Sequence, residues 1–267
     1  MLASKIDKQR NQLSEALYIG RARWDKLISA IAAVERDGSE EFYDEQVWTF
    51  IASCAYAAEG QTGAKRMAQC LSDGFVDSDR IWFEVLPLPP RVGEGNTNLD
   101  LAFGDIRLRQ GTKSGIELAN TNDSTICFCE CKWYSDISSK VSYDQHRNQL
   151  ARVAENALLF SDSAGEMARH VHVTLVTPSI FKQPRPWSRL YQYKWDDYKN
   201  LNNLLQDLSA SRLPLKTTSP SADSRISNLT LHWVPYETLL DQAPDTDLKG
   251  EVREFFRRYS GKILRGE

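Results

Sequence analysis

No stretch of this 267-residue chain is apolar for long enough to span a bilayer, and its opening residues, Met1-Leu2-Ala3-Ser4-Lys5, lack the apolar core of a secretory signal. The expectation is a cytoplasmic protein with no membrane segment. An excess of basic residues is missing too. Thirty-three Lys and Arg face 36 Asp and Glu, for a net charge of −3. That excludes a nucleic-acid coat that binds through its whole surface, while one local basic cleft stays compatible with it. Cysteines number only five and none are spaced C-x2-C, which argues against a zinc or iron–sulfur site. Neither a glycine-rich phosphate loop nor a Gly-x-Ser-x-Gly elbow occurs. There is no internal repeat.

What the chain does have is ordinary globular stock, with 41% hydrophobic and 26% charged residues, enough for one substantial core. The pattern falls into two parts. Residues 1–58 read as a helical extension, in which Trp24, Leu27, Ile28, Ile31 and Val34 recur at helical spacing before Gly38 interrupts them. A second helix is expected from about residue 40 to Glu59 and a short third over Ala64–Leu71. From residue 59 to 267 the period changes. Strands are expected at Ile81–Leu86, Leu99–Leu108 and Thr125–Trp133, then an amphipathic helix from Tyr143 that buries Leu150, Val153, Ala154, Ala157 and Leu158. His170–Thr177 reads as a fourth strand, Asp196–Leu208 as a helix, Ser209–Asn228 as a Ser/Pro/Thr-rich loop, Leu229–Val234 as a last strand and Leu248–Tyr259 as a last helix. Short turns make the first three strands antiparallel neighbours, and the helix after the third allows the fourth to run parallel. This is an α/β chain with a mixed sheet between helices.

Chemistry concentrates in Cys127-Phe128-Cys129-Glu130-Cys131-Lys132-Trp133. Residues two apart on a strand share a face, so Glu130 and Lys132 project together with Phe128, while the three cysteines line the other face as small hydrophobes. Asp197-Tyr198-Lys199 and Asp247-Leu248-Lys249 show the same acid-x-lysine spacing in helical surroundings, where i and i+2 diverge. A charged pair among apolar residues is costly without partners, which directs attention to a third charge. Asp100 supplies it, sharing a face with the small residues Ala102 and Gly104, while Leu99, Leu101 and Phe103 face the core and Asp105 falls with them. If the two strands pair, Asp100, Glu130 and Lys132 meet. Two carboxylates and a backbone carbonyl at Cys131 suit Mg²⁺ or Mn²⁺, which keep several waters and a phosphate, and Lys132 would orient and help deprotonate an attacking water. The plainer alternative is a structural salt bridge of Lys132 with Glu130 or Asp100.

With these residues the chain resembles the PD-(D/E)xK nuclease superfamily, the restriction-endonuclease-like fold. Asp100 matches the acid of the second strand, Glu130-Cys131-Lys132 the E-x-K of the third, and Tyr143–Arg152 the Gln- and Arg-bearing helix that follows. Leu99 stands where a proline is usual. The resemblance covers about Glu59 to Thr177. It implies an αβββαβ core and a Mg²⁺-dependent endonuclease acting on DNA, with a further glutamate from the helix before the first strand: Glu59 first, Glu45 second. Gln145, Gln149 and Arg152 form one polar helical stripe that suits contact with DNA or the site, and equally a solvated face. Lys182, Arg185, Arg189 and Lys194 interleave with Trp187, Tyr191, Tyr193 and Trp195, a string that fits either base stacking or aromatics packed on a core, the second being favoured. His170 and His172 share a strand face and read as strand histidines rather than metal ligands. A duplex cutter needs two sites, which a homodimer would supply by symmetry. A non-catalytic binding module on the same fold is the competing reading.

Overall fold

A computed structural model describes residues 1–38, 41–120, 122–138, 147–182, 189–216 and 221–261. The helices are α1 (Leu2–Lys8), α2 (Arg10–Leu13), α3 (Arg21–Asp37), α4 (Glu45–Ala57), α5 (Gly60–Leu71), α6 (Gln149–Leu158), α7 (Leu190–Tyr198), α8 (Leu201–Ser209), α9 (Tyr236–Gln242) and α10 (Asp247–Tyr259). The strands are β1 (Leu17–Tyr18), β2 (Ile81–Val85), β3 (Leu99–Gly104), β4 (Ile106–Leu108), β5 (Ile116–Leu118), β6 (Thr125–Cys131), β7 (His170–Thr177) and β8 (Leu229–Pro235).

Six of the strands form one mixed sheet in the order β1-β2-β3-β6-β7-β8. β2, β3 and β6 pair antiparallel, and β6, β7 and β8 run parallel. Helices cover both faces. On one side Leu101, Phe103 and the three alternating cysteines pack with residues of α3, α4, α5, α9 and α10. On the other, Ala102, Phe128 and Val173 pack with residues of α6, α7 and α8. The chain is thus α/β with a central sheet between helical layers.

Several boundaries differ from the sequence reading, each for a local reason. The strand expected over Leu99–Leu108 breaks at Gly104, where φ is 104° and an added Cβ would lie 2.1 Å from the Thr125 carbonyl oxygen. Asp105 then bends away, its carboxylate accepting from the Thr125 N–H at 2.9 Å, and β4 pairs with β5 as a separate hairpin. The helix expected over Asp196–Leu208 is two helices, divided where the Asn200 side chain caps α8 by accepting from Asn202 N–H at 3.1 Å. The expected loop after Ser209 carries a 3₁₀ helix over Ala222–Asn228. The α3 end falls as read, with Gly38 in the left-handed region at φ 69°.

Residues 1–58 are not set apart from the rest. β1 pairs parallel with β2 through Leu17↔Ile81 and Tyr18↔Trp82, and Leu27, Ile31, Trp48 and Phe50 belong to the same buried cluster as Cys129 and Val176. No helix among the described residues is long and apolar enough to cross a membrane.

Candidate active site

The β3–β6 register pairs Leu101 with Cys129 and Ala102 with Phe128, which sets Asp100 beside Glu130 one step on. There the ladder stops. The Cys131 N–H, pointing toward β3, is taken by the Asp100 carboxylate at 2.7 Å instead of by a backbone carbonyl. A strand residue directs its N–H and C=O to the same side, so the Cys131 carbonyl opens into the same gap. The alternation expected along β3 does not hold at its start. Leu99 does not share a face with Leu101: Phe83 and Leu101 pack on the α4 side, Val85 and Leu99 on the α6 side. The alternation is broken at Glu84, whose φ of 50° lies in the left-handed region and which stands opposite Asp100 between the pairs Phe83↔Leu101 and Val85↔Leu99.

Lys132 is buried and bridges two acids. Its Nζ lies 2.8 Å from Glu130 Oε1 and 3.1 Å from Glu45 Oε1. Glu45 is the first residue of α4, where Asp44 caps the helix, accepting at Oδ1 from Gln46 N–H at 3.0 Å. Its second oxygen accepts from the Ser135 hydroxyl at 2.6 Å. One turn along α4, Trp48 stacks on Trp133 with ring centroids 4.2 Å apart, and Tyr236 and Phe256 meet Trp133 edge-on. The buried indole pair fixes the start of α4 over the end of β6, which is how a glutamate 85 residues upstream of Glu130 reaches the site.

Glu59, the first choice for the fourth acid, is elsewhere. It is exposed, two residues past the far end of α4, and pairs with Arg66 at 3.3 Å. Fourteen residues separate it from Glu45, about 20 Å of helix at 1.5 Å per residue. The second choice is the one in contact with Lys132.

The electrostatics follow from crowding. Burial, then the Glu130 charge, pushes the Asp100 carboxyl well above the carboxylate range, against the pull of Lys132 and the Cys131 N–H. Burial likewise raises Glu130, with Lys132 and Arg152 opposing and Glu45 adding to it. Burial alone would lower the Lys132 ammonium, but Glu130, Glu45 and Asp100 together outweigh it and hold it above its usual value. Lys132 is therefore a fixed cation. It can donate to an anion or orient a water, and the three carboxylates that hold its ammonium charged work against the deprotonating part of the role expected for it.

Where it is described, at Gln149 and Arg152, the helical stripe is half-buried and not a solvated face. Arg152 Nε donates to Glu94 at 2.9 Å and its terminal nitrogen to the Gly95 carbonyl at 2.5 Å. Glu94 also takes Arg147 at 2.8 Å, and Arg147 and Arg91 both pair with Glu155, the latter at 2.6 Å. Three arginines and two glutamates thus form a buried ionic cluster behind Glu130. Gln149 accepts from the Ser138 N–H at 3.4 Å, half-buried at the start of α6, and Gln145 lies outside the described residues.

Of the basic–aromatic string, Arg185 and Trp187 lie outside the described residues. Lys182 donates to the Trp233 carbonyl at 3.1 Å, Arg189 lies over Phe181 at 4.8 Å, and Lys194 pairs with Asp207 at 2.7 Å. Tyr191 and Trp195 pack on Trp233, while Tyr193 is exposed. His170 is exposed beside Asp123, whereas His172 stacks on His232 with Nδ1 2.8 Å from Nε2. Burial pushes His172 down to about 4, so this is a neutral hydrogen-bonded pair. Cys127, Cys129 and Cys131 are fully buried as free thiols in the core.

Among the described residues no three His, Cys, Asp or Glu side chains gather as a ready metal cage. Asp100 and Glu130 nonetheless fit a hard divalent cation: two mutually repelling carboxylates and a directed carbonyl, with the remaining positions left for water and phosphate. Ser135, which follows the E-x-K segment by three residues and holds Glu45, is a site residue the sequence reading missed. Comparison with protein-family models, curated proteins and solved structures returned no match.

Proposed function

We propose that this protein is a Mg²⁺- or Mn²⁺-dependent endonuclease that hydrolyses phosphodiester bonds in DNA, on a PD-(D/E)xK-type core and in a restriction or repair setting. The observation that carries this reading is the meeting of Asp100, Glu130 and Lys132, from two adjacent strands, with Glu45 from the helix start above them. The order α4, β2, β3, β6, α6, β7, with β2-β3-β6-β7 adjacent and only the last pair parallel, supports it.

Asp100, Glu130 and the Cys131 carbonyl would hold the cation. The chemistry Mg²⁺ supplies in such a setting is activation of a water and neutralisation of charge on the phosphate. Lys132, kept charged by three carboxylates, would donate to a phosphate oxygen and aim the water. Glu45 and Ser135 keep that ammonium in place, and Arg152 limits the repulsion between Glu130 and Glu45. Paired cuts in a duplex would call on a second copy of the chain.

The test is nicking of supercoiled plasmid in Mg²⁺ or Mn²⁺, with EDTA as control. Asp100→Ala and Lys132→Ala should each lower the rate by roughly 10²–10⁴-fold while remaining folded. Glu45→Gln should lower it and Glu59→Gln should leave it unchanged. A wild-type protein that yields no product with either metal would sink the reading. One observation favours the alternative, a non-catalytic DNA-binding module: Lys132 is already closed off by two carboxylates and the Asp100 oxygen by a backbone N–H. That protein would bind DNA equally with and without EDTA.

A further inference from the structure

A cleft of about 970 Å³ opens between the start of α3, the end of β2 and the hairpin joining β4 to β5. Its lining carries Arg21, Arg23, Lys26 and Lys113 against Asp25 and Glu84. Both acids are already engaged. Asp25 holds Arg10 at 2.8 Å, and Glu84 pairs with Arg23. Arg21, Lys26 and Lys113 are exposed and form no ion pair among the described residues. On a chain of net charge −3 the four cations and two acids of this lining leave a local excess of two positive charges.

The cleft adjoins the strand segment that carries Asp100. Phe83, Glu84 and Asn98 line it, Glu84 stands opposite Asp100, and Asn98 precedes Asp100 by two residues. Arg23 donates to Gln46 Oε1 at 3.1 Å, and Gln46 adjoins Glu45, the partner of Lys132. The first turn of α4 therefore touches both places. The left-handed φ of 50° at buried Glu84 is the kind of backbone strain that persists where a site requires it. Here it re-aims the end of β2 so that the carboxylate anchors Arg23. Lys113 is placed from across the cleft, since the Tyr18 hydroxyl donates to its carbonyl at 2.5 Å.

A single small anion would be met by cations converging on one point. Here three cations sit on two separate elements along an open trough, an arrangement that suits a row of phosphates. Building on the nuclease reading, we propose that this cleft carries the DNA backbone flanking the cleaved phosphate, with Arg21, Lys26 and Lys113 as its phosphate contacts.

The experiment is fluorescence anisotropy of a labelled DNA duplex in EDTA, titrated at several salt concentrations with wild type and the double variant Arg21→Gln/Lys113→Gln. Both positions are exposed, so the unfolding midpoint should stay unchanged. Three phosphate contacts predict a log–log salt slope of about −2.7, and losing two should bring it to about −0.9. At low salt the double variant should bind at least tenfold more weakly. Equal affinity and slope in the two proteins would overturn the proposal, as would wild-type protein that binds no duplex. If wild type shows no metal-dependent cleavage yet the double variant still loses binding, the cleft assignment stands and the nuclease reading falls.

Discussion

Asp100 and Glu130 carry their raised pKa values because burial and mutual repulsion penalise the doubly charged state, with Lys132 returning only part of that cost. The consequence for stability has a definite sign. Above the ordinary carboxylate range, about 4, the unfolded chain has released protons that the native pair still holds, so stability falls as the pH rises through the raised values. Asp100→Asn keeps an oxygen for the Cys131 N–H and removes one charge. Without divalent cations at about pH 8 it should be more stable than wild type by about 1 kcal/mol, roughly 2–4 °C in Tm. Scanning calorimetry would show this. Added Mg²⁺ or Mn²⁺ should raise the wild-type Tm and leave the variant's unchanged; a metal response equal in both would remove Asp100 from the cation site. At this scale much was legible. Period-two alternation placed Glu130 and Lys132 on one face, and the small neighbours of Asp100 singled it out. The turn of Leu99 to the other face was not legible, because it depends on a left-handed Glu84 in the next strand.

α6 shows what an element's own periodicity omits. Leu150, Val153, Ala154 and Leu158 mark its apolar side, and the opposite side reads as polar, suited equally to contact with DNA or the site and to solvent. In the fold that side is buried as well, because Arg91 and Glu94, more than fifty residues upstream, fold over it and pair with Glu155, Arg147 and Arg152. Glu155 holds two arginines with no solvent contact of its own. Glu155→Ala would strand both charges and should cost about 3–5 kcal/mol, measured by denaturant unfolding. A change smaller than about 1 kcal/mol would mean that water reaches the cluster. Arg152→Gln is expected to act on Glu130 through this network and not through direct loss of a DNA contact.

For the whole molecule, the first 58 residues belong to the core and to the site. They supply Trp24, Leu27, Ile31, Trp48 and Phe50 to the cluster beneath the sheet, the edge strand β1, and Glu45 itself. A chain beginning at residue 59 would expose that apolar face and leave Lys132 with one fewer partner. It should fail to give a cooperative thermal transition and should be cut rapidly by protease; a stable, cooperatively melting fragment would restore the two-part organisation read from the sequence. Composition gave no hint of this unity, since a helix that covers its own core and one that packs on a distant sheet have the same periodicity.

Local patterning alone determined that this is an α/β chain, that a strand ends in Glu130-Cys131-Lys132, and that an acid lies on an earlier strand. Those properties are written in residues two to four apart, where the pleat and the helix repeat act directly. Which glutamate joins Lys132, whether Arg152 meets solvent or Glu94, and where Arg21, Lys26 and Lys113 line a cleft were decided only in three dimensions. Each depends on partners tens of residues away, brought together by burial of the Trp48–Trp133 stack and by pairing of charges that could not be left alone in the interior.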